Sequence, residues 1–147
     1  MTTEVLGIDE CRRLLRSQHV GRLAVITGRY PMVVPVNFAV DRGTIVFRTG
    51  TGTKLAASRH GNVAFEVDEV DLERRAGWSV LVTGTVDVLE DGHDASVSAR
   101  SRALPIRPFD DDEPKGIWVR IVEHSISGRR ISGKDLLAPE WGSEAYL

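Results

Sequence analysis

Apolar and polar positions alternate over most of the chain, which is the period of half-buried strands. Segments 22–27 (RLAVIT) and 32–40 (MVVPVNFAV) are rich in β-branched residues, and 28–31 between them reads as a turn. Residues 41–43 (DRG) form a second turn leading into 44–49 (TIVFRT), so these three strands predict an antiparallel meander. Pro35 cannot donate to a ladder, which predicts a sheet edge or a bulge at that point. Segment 62–70 (NVAFEVDEV) places Val63, Phe65 and Val67 on one face. In 78–89, Trp78, Val80, Val82, Val86 and Val88 share one side, while Ser79, Leu81, Thr83 and Thr85 share the other. A last strand is expected over 117–122, resuming at 125–131.

Helical spacing is rarer. Cys11, Leu14 and Leu15 fall at i, i+3 and i+4 behind Asp9 as N-cap, predicting a short helix that ends before Gly21. Thr53 caps a second candidate over 54–60, with Gly61 as its stop. Segment 91–103 reads as a third helix, 105–114 as a loop with a solvated acidic run, and 132–147 as a tail without periodicity. No repeat or linker divides the chain, so 1–147 is expected to form one domain. The predicted class is mainly β (α+β): six antiparallel strands in a closed or partly closed barrel, with short peripheral helices. Closure hides sheet edges, and the helical segments are too few and short for a βαβ architecture.

Composition narrows the partners. The chain has 147 residues, of which 41% are hydrophobic and 27% charged, ordinary values for a globular domain. A formal net charge of −2 lacks the basic excess of a nucleic-acid binder. No apolar run approaches the ~20 residues that cross a bilayer. Cys11 is the single cysteine, so no internal disulfide can form, and its place on an apolar helical face makes it core. The opening MTTEVLGIDECRRLL lacks a basic start or an apolar stretch of signal-peptide length, and the expected location is the cytoplasm. His19, His60, His93 and His124 are scattered without metal-ligand spacing, so no metal is expected. No Gly-x-Ser-x-Gly elbow supports triad hydrolysis.

The chemistry concentrates in Arg48-Thr49-Gly50-Thr51-Gly52-Thr53-Lys54, where a strand ends and a helix opens. Glycines let backbone N–H groups converge, threonines add hydroxyls, and a helix start favours anions. Arg48 can grip phosphate oxygens with two parallel bonds, and Lys54 is a movable charge. The stretch is not a P-loop, because Thr53 precedes Lys54 and Leu55 follows it. From the residues alone it is equally a Gly/Thr-rich turn carrying two surface charges.

The ordered set Val20-Gly21-Arg22-Leu23-Ala24, Val34-Pro35-Val36-Asn37-Phe38, 46–54, Ala64-Phe65-Glu66-Val67-Asp68 and 77–84 resembles the pyridoxamine 5′-phosphate oxidase-like family, the FMN-binding split β-barrels, and its small bacterial members in particular. The likeness covers roughly residues 8–89, with an echo at 118–131. It implies a six-stranded split barrel and FMN, with a deazaflavin or haem as alternatives. Pro35, Val36 and Asn37 would run beneath the flavin ring, and Arg48 and Thr49 would lie near the ribityl chain and phosphate. Thr51, Thr53 and Lys54 would hold the phosphate. Trp78 and Ser79 match a segment that reaches the flavin from the opposite subunit, which implies a homodimer with sites at its interface. Arg129 and Arg130 are candidates for the cofactor's polar end. The implied function is an FMN-dependent, flavin-reductase-like oxidoreductase acting on an unassigned small substrate. The other readings are a non-enzymatic dimer that binds or senses the cofactor, and a dimer with a degenerate groove. No constellation matches the basic residues with which true pyridoxamine phosphate oxidases grip substrate.

Overall fold

The computed structural model describes residues 2–49, 61–88 and 117–133. Seven strands and one helix follow in the order β1 (Thr2–Val5), α1 (Ile8–Arg16), β2 (Val20–Thr27), β3 (Tyr30–Asp41), β4 (Thr44–Thr49), β5 (Asn62–Asp71), β6 (Ala76–Val88) and β7 (Ile117–Ser132). All strand pairs are antiparallel in one sheet of order β1-β7-β4-β3-β2-β5-β6. A further pairing joins β6 to β7 from Gly77–Ile131 to Val88–Val119, so the strands run round in a ring.

This corrects the expected six-stranded split barrel with several peripheral helices. A seventh strand, β1, lies along the far end of β7, with Thr2 opposite Ser132 and Val5 opposite Arg129. Its four residues are all exposed, so it carries no apolar alternation to betray it. One short helix is present among the described residues. The helices expected over 54–60 and 91–103, the loop 105–114 and nearly all of the tail lie outside them.

Helix α1 starts two residues earlier than Asp9 as N-cap would allow. Gly7 occupies the cap with no side-chain hydrogen bond, and Asp9 and Glu10 fall in the first turn. The helix stops at Ser17, whose hydroxyl donates to the Leu14 carbonyl at 2.6 Å. Cys11, Leu14 and Leu15 are buried against the strands as the spacing predicts. Gly21 is not the helix exit but a residue of β2 lying under Phe65, where a Cβ would come within 2.2 Å of the ring.

Inward positions form a single core. Phe38, Phe47, Phe65, Leu23, Val67, Val80, Val82 and Val119 are almost wholly buried, and Phe38 meets Phe65 edge-to-face at 5.0 Å between centroids. Pro35 obeys the edge expectation. Strand β3 pairs with β4 only from Phe38 to Asp41, so beside Pro35 its second edge has no strand partner among the described residues.

Candidate functional site

The expected cofactor residues of β3 and β4 meet at a corner. Phe38 and Phe47 face each other across the ladder and turn into the core. Asn37 and Arg48 each lie one residue beyond that pair, so alternation turns both to the outer face. Asn37 is half-buried, and its side-chain oxygen is buried with no hydrogen-bond partner among the described residues. Leaving such a group unsatisfied costs roughly 1–3 kcal/mol, and native proteins rarely tolerate it without a reason. Pro35 is exposed on the same face, opposite Arg22 of β2. Val36 points the other way and packs against the core, which leaves its main chain for any ligand above the strand. Arg48 is half-buried opposite Trp118, and Thr49 closes β4 opposite Ile117. Thr51, Thr53 and Lys54 lie outside the described residues.

Trp78 and Ser79 are not brought to this corner within one chain. They sit on β6, separated from β3 in the sheet by β2 and β5. Trp78 turns inward and packs, half-buried, against the core, whereas Ser79 is exposed between Asp68 and Arg129. Arg130 is engaged elsewhere: it donates to Glu10 at 2.7 Å and lies 3.5 Å from Glu4. Cys11 is buried, and desolvation pushes its thiol pKa up, as befits a core position. Among the described residues no group of His, Cys, Asp and Glu is arranged to hold a metal ion, and no helix is long and apolar enough to cross a membrane.

An ionic cluster beside Pro35 had no place in the sequence reading. Arg22 donates to Glu66 at 3.2 Å and to Asp68 at 3.1 Å on the outer face of β2 and β5. One guanidinium thus serves two carboxylates. Desolvation first, and then the negative charge of Asp68, raise the Glu66 pKa above the ordinary carboxylate range. Asp68 is the main cause of the raised Arg22 pKa, so Glu66 is the weaker partner. The available signal was Glu66 and Asp68 at alternate, outward positions of a strand whose inward positions, Val63, Phe65 and Val67, are apolar.

The ring of antiparallel strands thus brings a half-buried cation, Arg48, and the Asn37 amide oxygen together at one corner of its outer face. Comparison with known proteins gives the chain its family. Residues 8–130 match the family model described as Pyridoxamine 5′-phosphate oxidase, and the chain belongs to that family. Similar solved structures include an FAD binding protein from Mycobacterium smegmatis, 36% identical, covering 87% of this chain and 99% of that one with a TM-score of 0.71. Another is an FAD-binding protein from Mesorhizobium loti, 27% identical, covering 90% of this chain and 100% of that one with a TM-score of 0.72. An uncharacterized protein of Mycobacterium tuberculosis is 36% identical over 92 residues, 58% of this chain. The chain spans 60% of the length of that curated relative.

Proposed function

We propose that this chain binds a flavin on the outer face of β3, with the ring over Pro35 and Asn37 and the phosphate end at Arg48 and the 49–54 segment. The observation that carries the reading is the Asn37 side-chain oxygen, buried without a partner one residue past the end of the β3–β4 ladder. A flavin's pyrimidine edge offers an N–H that this oxygen accepts, and its phosphate suits the half-buried guanidinium of Arg48. Pro35 adds a flat, exposed surface with no N–H to compete for the ring. The two similar structures whose names refer to FAD support a flavin in general. FMN is our finer choice, because the cationic segment ends in Lys54 and suits a terminal phosphate.

Bound flavin supplies reversible electron or hydride transfer. This chain's residues bind and orient it: Asn37 fixes the ring's polar edge, and Arg48, Thr49, Thr51, Thr53 and Lys54 hold the anion. Val36, facing the core, keeps the strand beneath the ring in place. In our reading the protein is an FMN-dependent oxidoreductase working as a homodimer, with Ser79 and Trp78 of a second copy completing each site.

Titration of the purified protein with FMN and with FAD tests the reading. Arg48→Ala together with Lys54→Ala removes charged hydrogen bonds of roughly 1.5–3 kcal/mol each. FMN binding should then weaken at least tenfold, and Asn37→Ala should weaken it several-fold. Unchanged affinity in both variants would place the cofactor elsewhere. Reduction of the bound flavin by a nicotinamide nucleotide, followed by turnover with an acceptor, distinguishes an oxidoreductase from a binder.

A further inference from the structure

The ionic cluster of Arg22, Glu66 and Asp68 stands at the centre of the face that β3, β2, β5 and β6 turn outward. Two outward rows cross that face. In the first, Pro35 lies opposite Arg22, Arg22 opposite Glu66, and Glu66 opposite Leu81. In the second, Asn37 lies opposite Val20, and Asp68 opposite Ser79. Asn37 and Ser79 thus end the second row on β3 and β6, three strand spacings or ~14 Å apart. Ile26, Val33 and Leu81 are exposed on the same face, apolar surface of the kind that partners cover.

The dimer proposed above fixes where its symmetry axis falls. A two-fold operation that lays Ser79 of a second copy over Asn37 also lays Asn37 of that copy over Ser79, because such an interface is isologous. The axis then crosses the second row midway, between β2 and β5, where Val20 and Asp68 stand. Asp68 comes beside the Asp68 of the second copy, and Arg22 and Glu66 follow one row away, ~7 Å along the strands. Each cluster sets one guanidinium against two carboxylates, so two clusters with an excess of negative charge are brought face to face, away from water.

We infer that the Arg22–Glu66–Asp68 clusters of two copies meet at this axis and that each Glu66 takes up a proton there, so that lower pH tightens the dimer and its flavin sites; the inference rests on the shared-site reading above. As the Asp68 carboxylates converge, both guanidiniums are drawn to them, and Glu66 loses its share of Arg22. Glu66 is the group that yields. Burial already holds its carboxyl above the ordinary carboxylate range, with the charge of Asp68 adding to this and that of Arg22 opposing it. Around Glu66, β2 supplies Arg22, β5 supplies Asp68, and β6 supplies the uncharged Leu81 and Ser79. Farther off on β7, Arg129 lies opposite Ser79, and His124, which bulges between Ser125 and Glu123, is exposed. The dimer therefore binds more protons than two separate chains. Its dissociation constant falls as pH falls through the range in which Glu66 titrates.

The test is sedimentation of the fluorescently labelled full chain in saturating FMN, diluted from micromolar to picomolar at about pH 8 and about pH 5. The dissociation constant of the wild type is expected to be at least tenfold lower at the acidic pH. Glu66→Gln should be tight at both and remove the difference, whereas His124→Gln should leave the difference intact. Should Glu66→Gln fail to fold by circular dichroism, Asp68→Asn takes its place and must shrink the difference, since each guanidinium then serves Glu66 alone. An equal constant at the two pH values, including a dimer intact at every dilution, overturns the proton linkage and leaves the shared site standing. So does a Glu66→Gln variant that responds to pH as the wild type does. A monomer at every concentration overturns the shared site itself, and the linkage with it.

Discussion

Gly21 and Asn37 show how much one position can hold. Alternation from the buried Phe38 places Asn37 on the solvent side, and that much was legible, since residues 32–40 read as a strand. The unpartnered oxygen was not legible, because hydrogen-bond satisfaction depends on neighbours from β2 that no pattern in β3 names. Gly21 was misread for a similar reason. It looked like a helix stop, yet it is the gap into which Phe65, 44 residues further on, lays its ring. Gly21→Ala should therefore destabilise the protein by about 1–3 kcal/mol through overpacking. Chemical denaturation will read this as a lower midpoint at unchanged slope, and an unchanged midpoint would show that the ring moves aside freely.

At the scale of elements, α1 and β7 are tied by charge as well as by packing. Arg12 makes two hydrogen bonds to Glu123, at 3.0 and 2.9 Å, and Arg130 reaches Glu10 at 2.7 Å. Hydrogen bonds from Arg13 and then Arg130 lower the Glu10 pKa from the ordinary 4.5 to about 2. A carboxylate depressed by folding stabilises above its unfolded pKa, and the contribution fades as pH falls towards the folded value. Glu10→Gln should accordingly lower the melting temperature at about pH 6, with the difference from wild type shrinking steadily below about pH 4. Thermal unfolding at a series of pH values measures it, and a pH-independent difference would assign the effect to packing. The sequence reading located both elements. It broke β7 between Val122 and Ser125 because the bulge at His124 interrupts the alternation, so a real irregularity was mistaken for an end. Of Arg48–Lys54, the most telling stretch of sequence, Arg48 and Thr49 at the end of β4 lie among the described residues.

On the scale of the whole molecule, the meander β2-β3-β4 followed from local turns and short-range pattern, and β5 and β6 were legible as strands but not as a pair. Which distant strands meet did not follow either. The pairing of β6 with β7 and of β1 with β7 is decided by the shape of the shared core, and β1 has no apolar face to announce it. The proposed dimer belongs here too, for Ser79 and Asn37 stand on strands that one chain keeps two strands apart. Light scattering of the flavin-loaded protein should give twice the chain mass. A monomer with full cofactor affinity would remove Trp78 and Ser79 from the site.

Strand β7 touches β1, β4 and β6, and those three come from widely separated parts of the chain. During synthesis, the meander and the β5–β6 hairpin can emerge and pair while β7 is still being made, but their inner faces then stay wet. Whatever holds the nascent chain meanwhile must shield valine-rich surface until β7 arrives, and that strand is the one that seals the ring.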